Sequence, residues 1–239
     1  MSPDPNDPVV LITGATGALG RVVAKRFARD GAHLALVGRN QGRLDELGKE
    51  LDVGSDRWLA VPGDLAEADA GGAVADAVTS HWGRIDVLLH LVGGWAGGTA
   101  VVDLDPDEVH RMVDQHLWTT FHILQSAVPG MVERGFGRVI AVSSPLAADP
   151  GPKGGSYAIA KAAEEALVRS LAREVAGSGV TANLVIVRTI DARHERETTP
   201  TPKNASWATP EEIAETIVFL ASPSAAAVNG ARIPLYGRS

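Results

Sequence analysis

The sequence has no cysteine in its 239 residues, so it can form no disulfide, no thiolate zinc site and no cysteine nucleophile. It has no apolar run long enough to span a bilayer, and its first eight residues are polar and proline-rich, unlike a signal peptide. A basic tract is also missing. Arg193, Arg196 and Lys203 are interrupted by Glu195 and Glu197, and the formal net charge of −7 gives no reason to expect nucleic-acid binding. No repeat, low-complexity linker or internal boundary interrupts the chain. We therefore expect a soluble cytoplasmic protein with no membrane or nucleic-acid partner and no metal site.

What is present is a regular alternation. With 45% apolar residues and a mean hydropathy near zero, the chain can bury the core of one domain. That domain is expected over residues 8–239, after a flexible tail at 1–7 that proline keeps from building a helix or central strand. Buried strands are predicted at 9–12, 33–37, 58–61, 85–92, 139–142 and 180–187, with a short last strand at 232–235 whose Pro234 argues for an edge. Helices are predicted between them, including 40–51, 66–82, 105–134 with a break near Pro129, 156–176 with Ser156 as N-cap, and 210–221. Thr209, Pro210 and Glu212 give the last of these a capping box. Strand and helix alternate throughout, which predicts an α/β fold with a parallel sheet covered by helices on both faces.

The first strand runs straight into Thr13-Gly14-Ala15-Thr16-Gly17-Ala18-Leu19-Gly20 and a helix. Glycines between strand and helix let the backbone turn tightly and approach a pyrophosphate, whose charge the helix N-terminus stabilises. A tight turn that binds nothing is the alternative. The second strand ends at Gly38-Arg39, where an arginine can pair a 2′-phosphate and an acidic residue would favour NAD. Arg39 thus points to NADP(H), with NAD possible, unless it is only a solvated arginine opening the next helix. Arg43, four residues on, could reinforce the same site. Asp64 falls at the carboxyl end of the third strand, where ligands collect in open α/β sheets. Four glycines surround Trp95 after the fourth strand, placing it either as a flat wall for a substrate ring or as a cap over the core.

Ser143 and Ser144 close the fifth strand, and Tyr157 and Lys161 lie four apart on the next helix, so they share a face. A phenol has an ordinary pKa of about 10, and a nearby ammonium favours its phenolate. A serine hydroxyl at the strand end can hold a carbonyl or hydroxyl oxygen beside it. The three groups suit proton transfer to oxygen during hydride transfer. The irregular, charged segment 188–206 follows a strand end and is a candidate substrate lid.

With these residues in place, the chain from Val9 to Arg238 resembles the short-chain dehydrogenase/reductase family. The family turn Thr-Gly-x-x-x-Gly-x-Gly matches Thr13, Gly14 and Gly20, with Ala18 at the middle glycine and Gly17 adjacent. The family serine lies thirteen residues before its tyrosine, which falls on Ser144. The resemblance implies a single-domain Rossmann fold, doubly wound around seven parallel strands. It also implies a cofactor site over Gly14, Thr16, Gly17, Ala18, Leu19, Gly20, Arg39, Asp64, Leu65, Gly93, Tyr157, Lys161 and Ile190. By the same resemblance Asp64 meets the adenine amino group and Lys161 holds the nicotinamide ribose. Four positions depart from the family pattern. Asn-Asn-Ala-Gly becomes His90-Leu91-Val92-Gly93, Pro-Gly becomes Val187-Arg188, and a threonine becomes Ala192. The relay asparagine falls on His116, which either holds a water or proton or fills packing space.

The glycine loop around Trp95, with Gln115, Trp118-Thr119 and Trp207, is similar to the quinonoid dihydropteridine reductases. Arg39 and Ser144 differ from the animal members of that group. The resemblance implies an NADP(H)-dependent oxidoreductase with Ser144, Tyr157, Lys161 and His116 as its catalytic set, and Trp95 and Ser144 meeting a small-molecule substrate. A pterin reductase and a non-catalytic NADP(H)-binding sensor or subunit are the alternatives. A homotetramer or homodimer joined through helices 105–134 and 156–176 is implied in the same way.

Overall fold

The computed structural model describes residues 7–236. Seven short apolar runs form strands: β1 (Val9–Thr13), β2 (His33–Gly38), β3 (Trp58–Pro62), β4 (Val87–His90), β5 (Gly137–Ser143), β6 (Val180–Val187) and β7 (Arg232–Leu235). They pair in parallel in the order β3-β2-β1-β4-β5-β6-β7. β7 is an edge strand, where Pro234 can be tolerated. Strand order reverses between β1 and β4, and the crevice above that reversal is where ligands settle in such sheets.

The helices follow from amphipathic stripes. α1 (Ala18–Arg29) buries Leu19, Val23, Ala24, Phe27 and Ala28, and α2 (Gln41–Glu50) buries Leu44 and Leu47. With α8 (Pro210–Ala221) they cover one sheet face, where Val10, Ile12, Leu34 and Leu36 point. α3 (Ala70–Trp82), α5 (Thr119–Arg134) and α6 (Gly155–Glu174) cover the other, where Leu11, Ala35 and Leu88 point. Alternate residues of one strand thus feed two cores, and for this reason the central strands are apolar throughout. α4 (Pro106–Val113) and the one-turn α7 (Glu195–Thr198) complete the set.

Three local expectations are corrected. The long helix at 105–134 is interrupted at Asp114–Trp118 by a π turn, and Pro129 sits inside α5. The cause is local: Thr119 N–H reaches back to the Asp114 carbonyl, and the hydroxyls of Thr119 and Thr120 donate to the carbonyls of Gln115 and His116. Ser156 is not the N-cap of α6, because the helix begins a residue earlier and the Ser156 hydroxyl donates to Glu108 Oε1 at 2.6 Å. The fourth strand is shorter than its apolar run, since Ile85 and Asp86 lead into it and Leu91 and Val92 turn into the cleft wall. The capping box at Thr209 forms as expected.

Of the tail expected at 1–7, only Asp7 falls within the described residues. Its carboxylate pairs with Arg57 at 2.9 Å and its carbonyl accepts from Arg84. Among the described residues, no helix is long and apolar enough to cross a membrane, and no acidic or histidine cluster could hold a metal.

Candidate active site

Two adjoining cavities of about 570 and 520 Å³ open over the sheet reversal and share Gly14, Gly17 and Leu91–Gly93 as walls. The turn after β1 makes room for them by omitting side chains. Gly14 has φ +67°, and a Cβ there would stand 2.7 Å from the Leu91 carbonyl oxygen. A Cβ on Gly20 would stand 2.4 Å from the Gly14 carbonyl oxygen. α1 starts at this turn with no side-chain cap and no acidic residue in its first turn. Its N–H groups are left for an anion at the cavity they border.

The residues expected to hold a cofactor divide between the two cavities. Ala18, Leu19, Gly20, Tyr157, Lys161 and Ile190 line the first, and Thr16, Arg39, Asp64 and Leu65 line the second, with Gly93 in both. Arg39 is 81% exposed with its Nη1 3.9 Å from Asp64 Oδ2, whereas Arg43 is not among the walls. A glycine cradle at a helix start, an arginine at one end and Lys161 at the other fit a dinucleotide. Arg111 of α4 and Asp114 of the π turn, which border the second cavity, were not singled out in the sequence, where Gln115 beside them entered only through the pterin-reductase resemblance.

The first cavity also carries Ser144, His116, Trp95, Leu146 and Arg188. Ser144 follows β5 and accepts a hydrogen bond from Leu146 N at 3.3 Å. Tyr157 and Lys161 face it from α6. Trp95 is 67% exposed at the lip, so it does not cap the core. The Tyr157 and His116 rings stand nearly perpendicular, with centroids 5.4 Å apart.

The electrostatics depart from the simple picture of a lysine that lowers a phenol. Burial pushes Tyr157 above its ordinary value, and Lys161 and the Ser144 hydroxyl offset this only in part. Lys161 is itself engaged. Its Nζ donates to the Val142 carbonyl at 2.8 Å and to Glu164 Oε2 at 2.5 Å. Glu164 was missed in the sequence, although its position three residues after Lys161 on a buried helix face was the available sign.

His90, at the family's first asparagine, bridges two elements: Nδ1 meets Thr13 Oγ1 at 2.9 Å and Nε2 meets Thr119 Oγ1 at 3.3 Å. It therefore ties β1 and β4 to the start of α5. Burial, then the charges of Lys161 and His116, push its pKa down to about 3. His116 is likewise pushed down to about 3, by burial and then Lys161, and its Nε2 meets the Gly94 carbonyl at 3.1 Å.

In segment 188–206, Ile190 bridges to Ala208, and the buried Asp191 carboxylate accepts from the N–H groups of Glu195 and Arg196 at 2.8 and 2.9 Å. Asp191 anchors the start of α7, a role the sequence did not disclose.

Fold and cleft together define a dinucleotide-binding α/β protein. The family model described as Enoyl-(Acyl carrier protein) reductase matches residues 14–237. The chain is 35% identical over 249 residues to the (2S)-[(R)-hydroxy(phenyl)methyl]succinyl-CoA dehydrogenase subunit BbsC of Thauera aromatica, covering 99% of this chain and 96% of that one. It is 28% identical over 236 residues to the 3-oxoacyl-[acyl-carrier-protein] reductase MabA of Mycobacterium bovis, covering 95% of this chain and 91% of that one. A short chain dehydrogenase from Bacillus anthracis superposes with a TM-score of 0.85 at 28% identity, covering 96% of this chain and 95% of that one. The chain belongs to the short-chain dehydrogenase/reductase family, whose members are oxidoreductases that use NAD(P).

Proposed function

We propose that this protein is an NADP(H)-preferring oxidoreductase acting on a small carbonyl or hydroxyl carbon, with Tyr157 as its general acid or base. The observation that carries this reading is the meeting of Ser144, Tyr157, Lys161 and His116 around one cavity that adjoins the glycine cradle. The nicotinamide, when bound, supplies or takes up hydride. In the reducing direction the Tyr157 O–H bond breaks and its proton passes to the substrate oxygen that Ser144 holds; water then restores the phenol. Lys161 adjusts the proton affinity of Tyr157 and would hold the cofactor ribose. Arg39 would pair the 2′-phosphate. Trp95 offers a flat apolar wall to the substrate, which also leaves a quinonoid pterin as an alternative substrate.

The protein is proposed to work in the cytoplasm as a homodimer or homotetramer joined through the segment 105–134 and α6, where Trp118, Val132 and Ile159 are exposed. A second reading, a subunit that binds NADP(H) without catalysis, is favoured by one observation: the Thauera relative is named as a subunit.

Oxidation of NADPH and NADH against ketones, aldehydes, quinones and a quinonoid dihydropterin tests the proposal, with Tyr157→Phe as control. Turnover lost in that variant with NADPH affinity kept within a few-fold supports it. Turnover retained without the phenol removes Tyr157 from the mechanism, and NADPH binding without turnover of any substrate favours the subunit reading.

A further inference from the structure

Glu164 is wholly buried and does no work in the chemistry above. It does not line the cavity, but its neighbours Lys161 and His116 do. Its Oε2 accepts from Lys161 Nζ at 2.5 Å, and its Oε1 has no partner. His116 Nδ1 stands 3.8 Å from Oε2 and is also without a partner. Because His116 Nε2 faces the Gly94 carbonyl, Nε2 carries the proton and Nδ1 presents a lone pair to the carboxylate. The imidazole therefore does not neutralise Glu164. Burial pushes the Glu164 carboxyl above its ordinary value, and Lys161 opposes this by its charge and its hydrogen bond; the ammonium at the cavity wall thus comes with a counter-charge attached.

We propose that Glu164 is a positioning residue that cancels the charge of Lys161 and so keeps Tyr157 in its proton-donating form near neutral pH. The proposal rests on the oxidoreductase reading above. A bare ammonium near a phenol favours the phenolate, while an ion pair acts only as a dipole whose field dies away faster.

Besides Lys161, the cavity carries one other arginine or lysine, Arg188, which is exposed and engages the Ser206 hydroxyl and the Tyr236 ring. On α6, Glu165 is held by Arg232 of β7 at 2.6 Å. His90 of β4 and His116 of the π turn are both held neutral by burial. Ser144 is uncharged, and Glu108 of α4 accepts from Ser156. Glu164 acts on the phenol in the same upward direction as burial, against Lys161.

The test uses the fact that Tyr157 and Tyr236 are the only tyrosines. In a Tyr236→Phe background, phenolate absorbance titrates Tyr157 alone, without substrate or cofactor, while circular dichroism follows the fold. The midpoint is expected above the free phenol's value of about 10, or the phenol stays protonated until the fold is lost. Glu164→Gln keeps the shape and removes the charge, and is expected to lower the midpoint by about one pH unit or more. Glu164→Asp, which restores the charge, should keep it high. A midpoint at or below the free phenol's in Tyr236→Phe overturns the proposal, as does a folded Glu164→Gln with no downward shift. If the Gln variant does not fold, Glu164→Met, which fills similar space without a charge, is read in its place by the same criterion. Absence of turnover on every substrate would count against the oxidoreductase reading and leave the titration untouched.

Discussion

At its glycine end the cleft is made by leaving side chains out, whereas at its tyrosine end polar side chains are packed where water scarcely reaches. Gly14 and Gly20 clear a path for backbone N–H groups, and Arg39 beside them stays in water. Lys161, Glu164, His116 and His90 are all nearly or wholly buried. An exposed group keeps close to its ordinary proton affinity, while a buried one takes whatever its neighbours and its desolvation dictate. Changes at the glycine end should therefore act on affinity and local sterics, and changes at the buried end on pH behaviour.

The largest effect is expected where the glycine end has no slack. The Cβ of Gly20→Val would meet two backbone carbonyl oxygens, at 2.4 and 2.6 Å, neither of which can swing aside. A loss of about 3 kcal/mol or more is expected, together with loss of cofactor binding. Urea unfolding and NADPH fluorescence titration would show both. A variant that binds as the wild type does would mean the cradle is not closely fitted.

The buried end is broken instead by acid. His90 and His116 titrate near 6.5 in an unfolded chain and near 3 in the folded one. Between those values the unfolded state binds more protons, so this contribution to stability is complete above about pH 6.5 and is lost as pH falls toward 3. Two such groups give a slope of up to about 2.7 kcal/mol per pH unit in mid-window. Urea unfolding at several pH values would measure it, and His90→Asn should reduce the slope by about one proton. An unchanged slope would mean that His90 is protonated in the fold.

How far the sequence reached follows the same division. Gly14, Gly17 and Gly20 were legible because a turn between strand and helix is local, and its spacing survives in one dimension. Ser144, Tyr157 and Lys161 were legible as a pattern of family resemblance joined to an i, i+4 helix pair. The interruption at 114–118 was not, since proline is the visible helix breaker and a π turn leaves no residue signature; Pro129 was simply carried within α5. Glu164 and Asp191 were not singled out in the sequence, although Glu164 lies three residues after Lys161; packing shows that one sits under Lys161 and the other holds the start of α7. His90 was legible as a departure from pattern, but its bridge from Thr13 to Thr119 joins residues 106 positions apart in sequence.

A gentler change sharpens the contrast from the exposed side. Arg39→Asp removes a cation from the second cavity and adds repulsion to a 2′-phosphate. Because Arg39 is well hydrated and only loosely engaged with Asp64, the expected effect is a weakening of NADPH binding by about tenfold relative to NADH, with no change in the titration of Tyr157. Equal effects on the two cofactors would reduce Arg39 to a surface charge. A moved Tyr157 midpoint would show that the two ends of the cleft are electrostatically joined.

The smallest effect belongs to a site outside both ends. Thr209 Oγ1 accepts from Glu212 N at 3.3 Å, and Glu212 Oε2 accepts from Thr209 N at 2.9 Å, closing the start of α8. Thr209→Ala removes one of those bonds and should cost about 1 kcal/mol in urea unfolding. Since α8 packs on α1 across the sheet face opposite Tyr157, the cost should appear equally at pH 5 and pH 8, with cofactor affinity unchanged. A pH-dependent loss would mean that strain at α8 reaches the buried histidines through the sheet, and the division between a steric end and an electrostatic end would have to be redrawn.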